Sequence, residues 1–97
     1  MRRAARVDCI HSAVVSALRA HGRRVLDLSR VGNGCPDLLV TFGGHLLLME
    51  VKRPLGPKGG SSKSKLRASQ VEFAHQWPVI VVRSVAEALA ATGIPPR

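Results

Sequence analysis

Pro36 to Lys52 reads PDLLVTFGGHLLLMEVK, two apolar runs joined by Gly43-Gly44. A two-residue Gly-Gly between strand-like runs marks a tight β-hairpin, because such turns need positive φ at their centre. If Phe42 and His45 flank the turn and face each other, the register runs unbroken to its open end and sets Asp37 against Glu50. Side chains alternate along a strand, so Lys52 shares the face of Glu50. Like charges directly opposite each other destabilise a sheet. An otherwise apolar hairpin that opposes two carboxylates is expected to hold a cation between them.

Working outward, the hairpin strands are apolar on both faces. Leu38, Val40 and Phe42 point one way, Leu39 and Thr41 the other, and Leu46 to Met49 is a continuous apolar run. Such strands are expected in the middle of a sheet covered on both sides. Pro36 suits a strand's first position. Before it, Ser29 to Cys35 (SRVGNGC) is a turn-rich loop in which Gly32 and Gly34 let the backbone turn. Val25-Leu26-Asp27-Leu28 reads as a first strand. Asp8 is a plausible N-cap for a first helix running to about His21, with Gly22 as its stop and Ile10, Val14, Ala17 and Leu18 as its apolar face. Residues 1–7 read as a basic arm carrying Arg2, Arg3 and Arg6.

Beyond the hairpin, residues 53–65 (RPLGPKGGSSKSK) have no periodicity and read as a mobile basic loop. Ser69-x-x-Glu72 and Ser84-x-x-Glu87 match the capping box, and predict helices over 69–77 and 84–92. Trp77, before Pro78, is expected in the core rather than as a base-stacking platform. Val79 to Val82 (VIVV) reads as a buried strand. The order α-β-β-β-α-β-α describes one α/β domain over residues 1–97. Its strand-helix-strand step from Lys52 to Val79 is consistent with a right-handed crossover in a central mixed sheet.

Composition narrows the partners. Hydrophobic residues make up 45% of the chain but aromatics only 3%, so the core must be aliphatic. The net charge of +9 favours a polyanionic partner, through the counterion release that drives non-specific nucleic-acid binding. The absence of a run of about 18 apolar residues argues against a membrane span. The Met-Arg-Arg start lacks a following apolar stretch and does not read as a signal peptide. Cys9 and Cys35 lack zinc-site spacing, which favours a reduced, cytoplasmic setting.

Asp37, Glu50 and Lys52 have the residue types that metal-assisted phosphodiester hydrolysis requires. Two carboxylates, the Val51 backbone carbonyl and waters suit Mg²⁺ or Mn²⁺. Such an ion polarises a phosphate and acidifies its water, and Lys52 can position that water or stabilise transition-state charge. Without that chemistry the same residues are an ordinary strand end with alternating charges. Lys58, Lys63, Lys65 and Arg67, with Arg53, are placed to touch backbone phosphates, or are simply a solvated loop.

Gly34-Cys35-Pro36-Asp37, a hairpin and then Glu50-Val51-Lys52 resembles the PD-(D/E)xK nuclease superfamily. More narrowly it is similar to the stand-alone VRR-NUC domains, many of them from phages. Leu66-Arg67-Ala68-Ser69-Gln70, followed by Phe73, Trp77 and VIVV, continues the likeness, which covers roughly residues 7–93. The resemblance implies a restriction-endonuclease-like three-layer fold and Mg²⁺- or Mn²⁺-dependent cleavage of DNA. It further implies a homodimer selective for branched DNA such as a Holliday junction, in a bacterial or phage-infected cytoplasm. Asp37 and Glu50 take the metal-ligand roles, Lys52 that of the catalytic lysine, and Gln70 a supporting polar role. The first helix of these proteins often adds a Glu. This chain has none there, and Asp8 or His11 is left to substitute. The alternatives are a nuclease-fold DNA-binding module that has lost cleavage and a basic structural protein with no site.

Overall fold

The computed structural model describes residues 4–54 and 65–94, with side chains from Ile10 onward. Among the described residues the elements run α1 (Ala4–Ala20), β1 (Arg24–Asp27), β2 (Leu38–Phe42), β3 (His45–Val51), α2 (Ala68–Gln76), β4 (Val79–Val82) and α3 (Val85–Ala91). The strands form one mixed sheet in the order β1-β2-β3-β4. β1–β2 and β2–β3 are antiparallel, and β3–β4 is parallel. This is the α/β element order and the mixed sheet that the sequence leads one to expect.

Gly43 and Gly44 have φ of +52° and +84°, the values that a hairpin turn of this length needs. The register follows from them. Phe42 pairs with His45 and Leu38 with Met49, so the next step sets Asp37 against Glu50.

One face of the sheet carries Val25, Leu38, Val40, Leu47, Met49, Val51, Ile80 and Val82. Against it pack Ile10, Val14, Val15 and Leu18 of α1 and Val85, Ala88, Leu89 and Ala91 of α3. Full burial of an aliphatic side chain contributes ~1.5–3 kcal/mol, so this aliphatic layer holds the domain together. The other face carries Arg24, Leu26, Leu39, Thr41, Leu46, Leu48, Glu50, Val79 and Val81. α2 reaches this side at its Gln70 end. Leu26 stays 58% exposed and Leu46 66% exposed. The expectation of cover on both faces is therefore corrected: two helices share the core side, and the nine-residue α2 cannot span the other.

Several boundaries also differ from expectation. α1 begins at Ala4, a full turn before Asp8, so Asp8 does not cap it and residues 4–7 are helix rather than arm. Ala4, Ala5 and Arg6 are good helix formers and nothing breaks the run. Its other end is as expected. Gly22 N donates to Arg19 O and Arg23 N to Leu18 O, the paired bonds that close a helix. α2 is capped at Arg67, not Ser69: Gln70 Oε1 accepts from Arg67 N at 2.8 Å. Arg67-x-x-Gln70 and Ser69-x-x-Glu72 have the same spacing, and spacing alone does not choose between them. α3 keeps its Ser84 cap, with Ser84 Oγ accepting from Glu87 N, while Glu87 Oε1 accepts from Arg83 N, one residue before the N–H that a capping box would use. Trp77, expected in the core, is 52% exposed. The basic arm at residues 1–3 and most of the basic loop, residues 55–64, lie outside the described residues.

Arg23 ties the turn after α1 to the end of α3. Its guanidinium donates to Thr92 Oγ1 and Thr92 O at the end of α3 and lies 5.5 Å from the Phe42 ring centroid. A cation suits a helix C-terminus.

Candidate active site

Four sequence-predicted residues meet at the open end of the hairpin, on the side of the sheet away from the core. Asp37 ends the loop entering β2, Glu50 lies in β3, Lys52 follows β3, and Gln70 lies in the first turn of α2. Glu50 is 4% exposed, Lys52 8% and Gln70 9%, burial that polar residues reach only when partnered.

Their contacts form one network. Asp37 Oδ2 accepts from Val51 N at 2.9 Å, which fixes one carboxylate against the backbone of the opposite strand. Lys52 Nζ lies 3.8 Å from Glu50 Oε2. Gln70 Nε2 donates to the same oxygen at 2.9 Å. The polarity of that amide is fixed, because its Oε1 is committed to the Arg67 N–H, which only an acceptor can meet. Gln70 therefore caps α2 and presents a donor to Glu50 at once.

Burial, and then the neighbouring Asp37 carboxylate, push Glu50 up from 4.5 to about 7; the Lys52 and Arg67 charges oppose that rise. Cys35, half buried two residues before Asp37, has its thiol pushed up by burial and by the same two carboxylates. Cys35 carries no spacing signal and belongs to the site's surroundings unforeseen.

Gly34 holds the network's geometry from the side. Its φ is +80°, and a Cβ there would sit 2.2 Å from the Ser69 carbonyl oxygen. Only glycine lets the loop before Asp37 press against the turn that carries Gln70. Its place before Pro-Asp was visible in the sequence; its contact with Ser69 was not.

The first-helix candidates do not join this group. His11 Nε2 lies 3.0 Å from Asp27 Oδ2. Asp27 pairs with Leu38, on the core side of the sheet. Two donors from Ser29, followed by His11, hold Asp27 down at about 2. The expectation that His11 supplies a metal ligand is corrected accordingly, because His11 is engaged on the opposite face from Glu50. Asp8 lies within α1 and its side chain is outside the description. Among the described residues, no group of three His, Cys, Asp or Glu side chains could hold a metal ion.

The donor set at the hairpin is thus two carboxylates plus any backbone oxygen, such as that of Val51. All are hard oxygen donors, which fits Mg²⁺ or Mn²⁺ and not a soft ion. Of the predicted phosphate contacts, Lys65 and Arg67 are exposed near the start of α2. Arg53 is half buried, and its carbonyl accepts from Arg83 Nη1. Lys58 and Lys63 lie outside the described residues. Among the described residues no helix is long and apolar enough to cross a membrane. Comparison with family models, with curated proteins and with solved structures returns no match.

Proposed function

We propose that the protein is a divalent-metal-dependent DNA endonuclease with a restriction-endonuclease-like fold, similar to the VRR-NUC domains and acting on branched DNA as a homodimer. The observation that carries the proposal is the buried Glu50 opposed by the half-buried Asp37, with Lys52 beside it. Setting a second carboxylate against a buried one is costly unless a cation is to join them. When bound, Mg²⁺ or Mn²⁺ supplies Lewis acidity and an acidified water.

The chain's own residues do the remainder. Asp37, held by the Val51 N–H, and Glu50, held by Gln70, keep their carboxylates fixed in advance of substrate. Lys52 brings a positive charge beside Glu50, where it can stabilise negative charge developing on a phosphoryl group. Glu50, pushed up to about 7, would give up its proton on holding a cation. The net charge of +9 draws the polyanion. A two-fold pair of chains would supply the two cuts that symmetric resolution of a four-way junction requires.

Incubation with a four-way junction and with a linear duplex, each with Mg²⁺ or Mn²⁺, tests the proposal. Cleavage should need the metal and should disappear in Asp37→Ala and Lys52→Ala. If those variants cut as well as the parent, the site is wrongly assigned.

A second reading is a nuclease-fold module that binds DNA without cutting it. The engagement of His11 by Asp27, which leaves Asp37 and Glu50 as the acidic groups at the hairpin among the described residues, favours it. DNA binding with no metal-dependent product on any substrate would select this reading.

A further inference from the structure

We infer that the exposed face of Trp77 is a stacking platform for an unpaired base of a DNA strand crossing the open side of the sheet. The inference rests on the DNA reading of the Asp37–Glu50 site and adds how that site would select its substrate.

Gln70 and Phe73 share one stripe of α2, and Trp77, seven residues after Gln70, is the extended C-cap whose ring meets Phe73 at the end of that stripe. Gln70 is buried against Glu50, Phe73 is half buried, and Trp77 is 52% exposed. The stripe thus begins in the site and ends in solvent, roughly 10 Å further along the helix axis at 1.5 Å per residue. At the rise of stacked DNA, ~3.4 Å per nucleotide, this is roughly three nucleotides from the carboxylates. The Trp77 and Phe73 rings are stacked, with centroids 5.7 Å apart and planes inclined by 22°. Phe73 therefore backs the indole on one side, which fixes its plane.

Trp77 leads through Pro78 into Val79, which pairs with Leu48 on the face that carries Glu50. From there the register runs through Leu39 to the exposed Leu26. This apolar row lies beside the acidic pair. Arg24 stands past it on the same face, exposed, and Arg67 is exposed at the start of α2. Glu72 is the one acid on α2. An aromatic plane and an apolar row between exposed arginines suit a single strand, whose bases stack while its phosphates meet cations. A duplex offers no free base face. A second copy of the chain would bring +9 against +9 across this surface, whereas DNA brings the opposite charge.

Trp77 is the only tryptophan and the chain has no tyrosine, so its emission reports on this one position. The full chain, in EDTA to prevent cleavage, is titrated with oligothymidylate and with a duplex of equal length. Saturable quenching by the single strand, and little by the duplex, is expected. With a labelled oligonucleotide read by anisotropy, Trp77→Ala should lose roughly 5- to 150-fold in single-strand affinity and keep its duplex affinity. Trp77→Phe should recover part of the loss. Single-strand binding without quenching, or unchanged affinity in Trp77→Ala, overturns the inference and leaves the nuclease proposal standing. Binding of neither DNA overturns both. Sedimentation of the protein alone that shows a concentration-dependent dimer, lost in Trp77→Ala, would assign this face to contact between copies and also overturn it.

Discussion

Replacing Glu50 by glutamine separates what this residue costs the fold from what it would give the site. The carboxyl titrates at about 7 in the folded chain against 4.5 in its ordinary state. The folded state therefore holds the proton more tightly than the unfolded one, and ionisation weakens the fold. The penalty is absent below about pH 4.5, grows between 4.5 and 7, and is complete above about 7. At about 1.4 kcal/mol per pH unit, that interval corresponds to about 3 kcal/mol. The amide keeps the side chain's shape and an acceptor for Gln70 Nε2, and carries no charge at any pH. Urea unfolding of both proteins in EDTA at pH 5 and pH 8 measures the difference. The parent should lose about 2.5 kcal/mol relative to Glu50→Gln on going from pH 5 to pH 8, since part of the penalty is already present at pH 5, or roughly 10–20 °C in Tm for a domain of this size. Added Mg²⁺ should restore the parent and leave the variant unchanged. Parallel pH profiles for the two proteins would refute the argument that burial and Asp37 strain the Glu50 charge.

Three further outcomes test other parts of the structure. Gly34→Ala should destabilise by ~2–4 kcal/mol in thermal unfolding, since the methyl meets the Ser69 carbonyl and the backbone has positive φ. Arg23→Met should cost ~2–3 kcal/mol by the same measurement, from the lost Thr92 hydrogen bonds and the Phe42 contact. Asp27 is held low, so the stability it contributes is present above its ordinary 3.8 and is lost as pH falls towards 2. Asp27→Asn should flatten that part of an acid-unfolding curve.

The hairpin was legible in the sequence because a Gly-Gly turn leaves a single register, and the register sets Asp37 opposite Glu50. The element order was legible for a similar reason: Gly22, Pro36, Pro78 and Gly93 punctuate the chain at the element boundaries. What could not be read depends on contacts between distant segments. The His11–Asp27 pair joins residues sixteen positions apart, and hydrophobic periodicity does not report which polar groups will meet. The exposure of Leu26, Leu46 and Trp77 follows from two helices choosing the same face, and alternation in a strand is silent on which face gains a helix. The Gln70 cap was missed because Arg67 has no side-chain acceptor and so carries no N-cap signal, and because the Gly34 and Glu50 contacts of this turn come from distant segments.

Everything proposed for the hairpin requires that Asp37 and Glu50 together hold one divalent cation. Calorimetric titration of the DNA-free protein with Mn²⁺ at pH 6, 7 and 8 tests it most directly. The prediction is a single ion per chain, affinity that rises through about pH 7 as Glu50 gives up its proton, and loss of binding in Asp37→Asn and in Glu50→Gln. Binding that both variants retain, or that is indifferent to pH across this range, would contradict it.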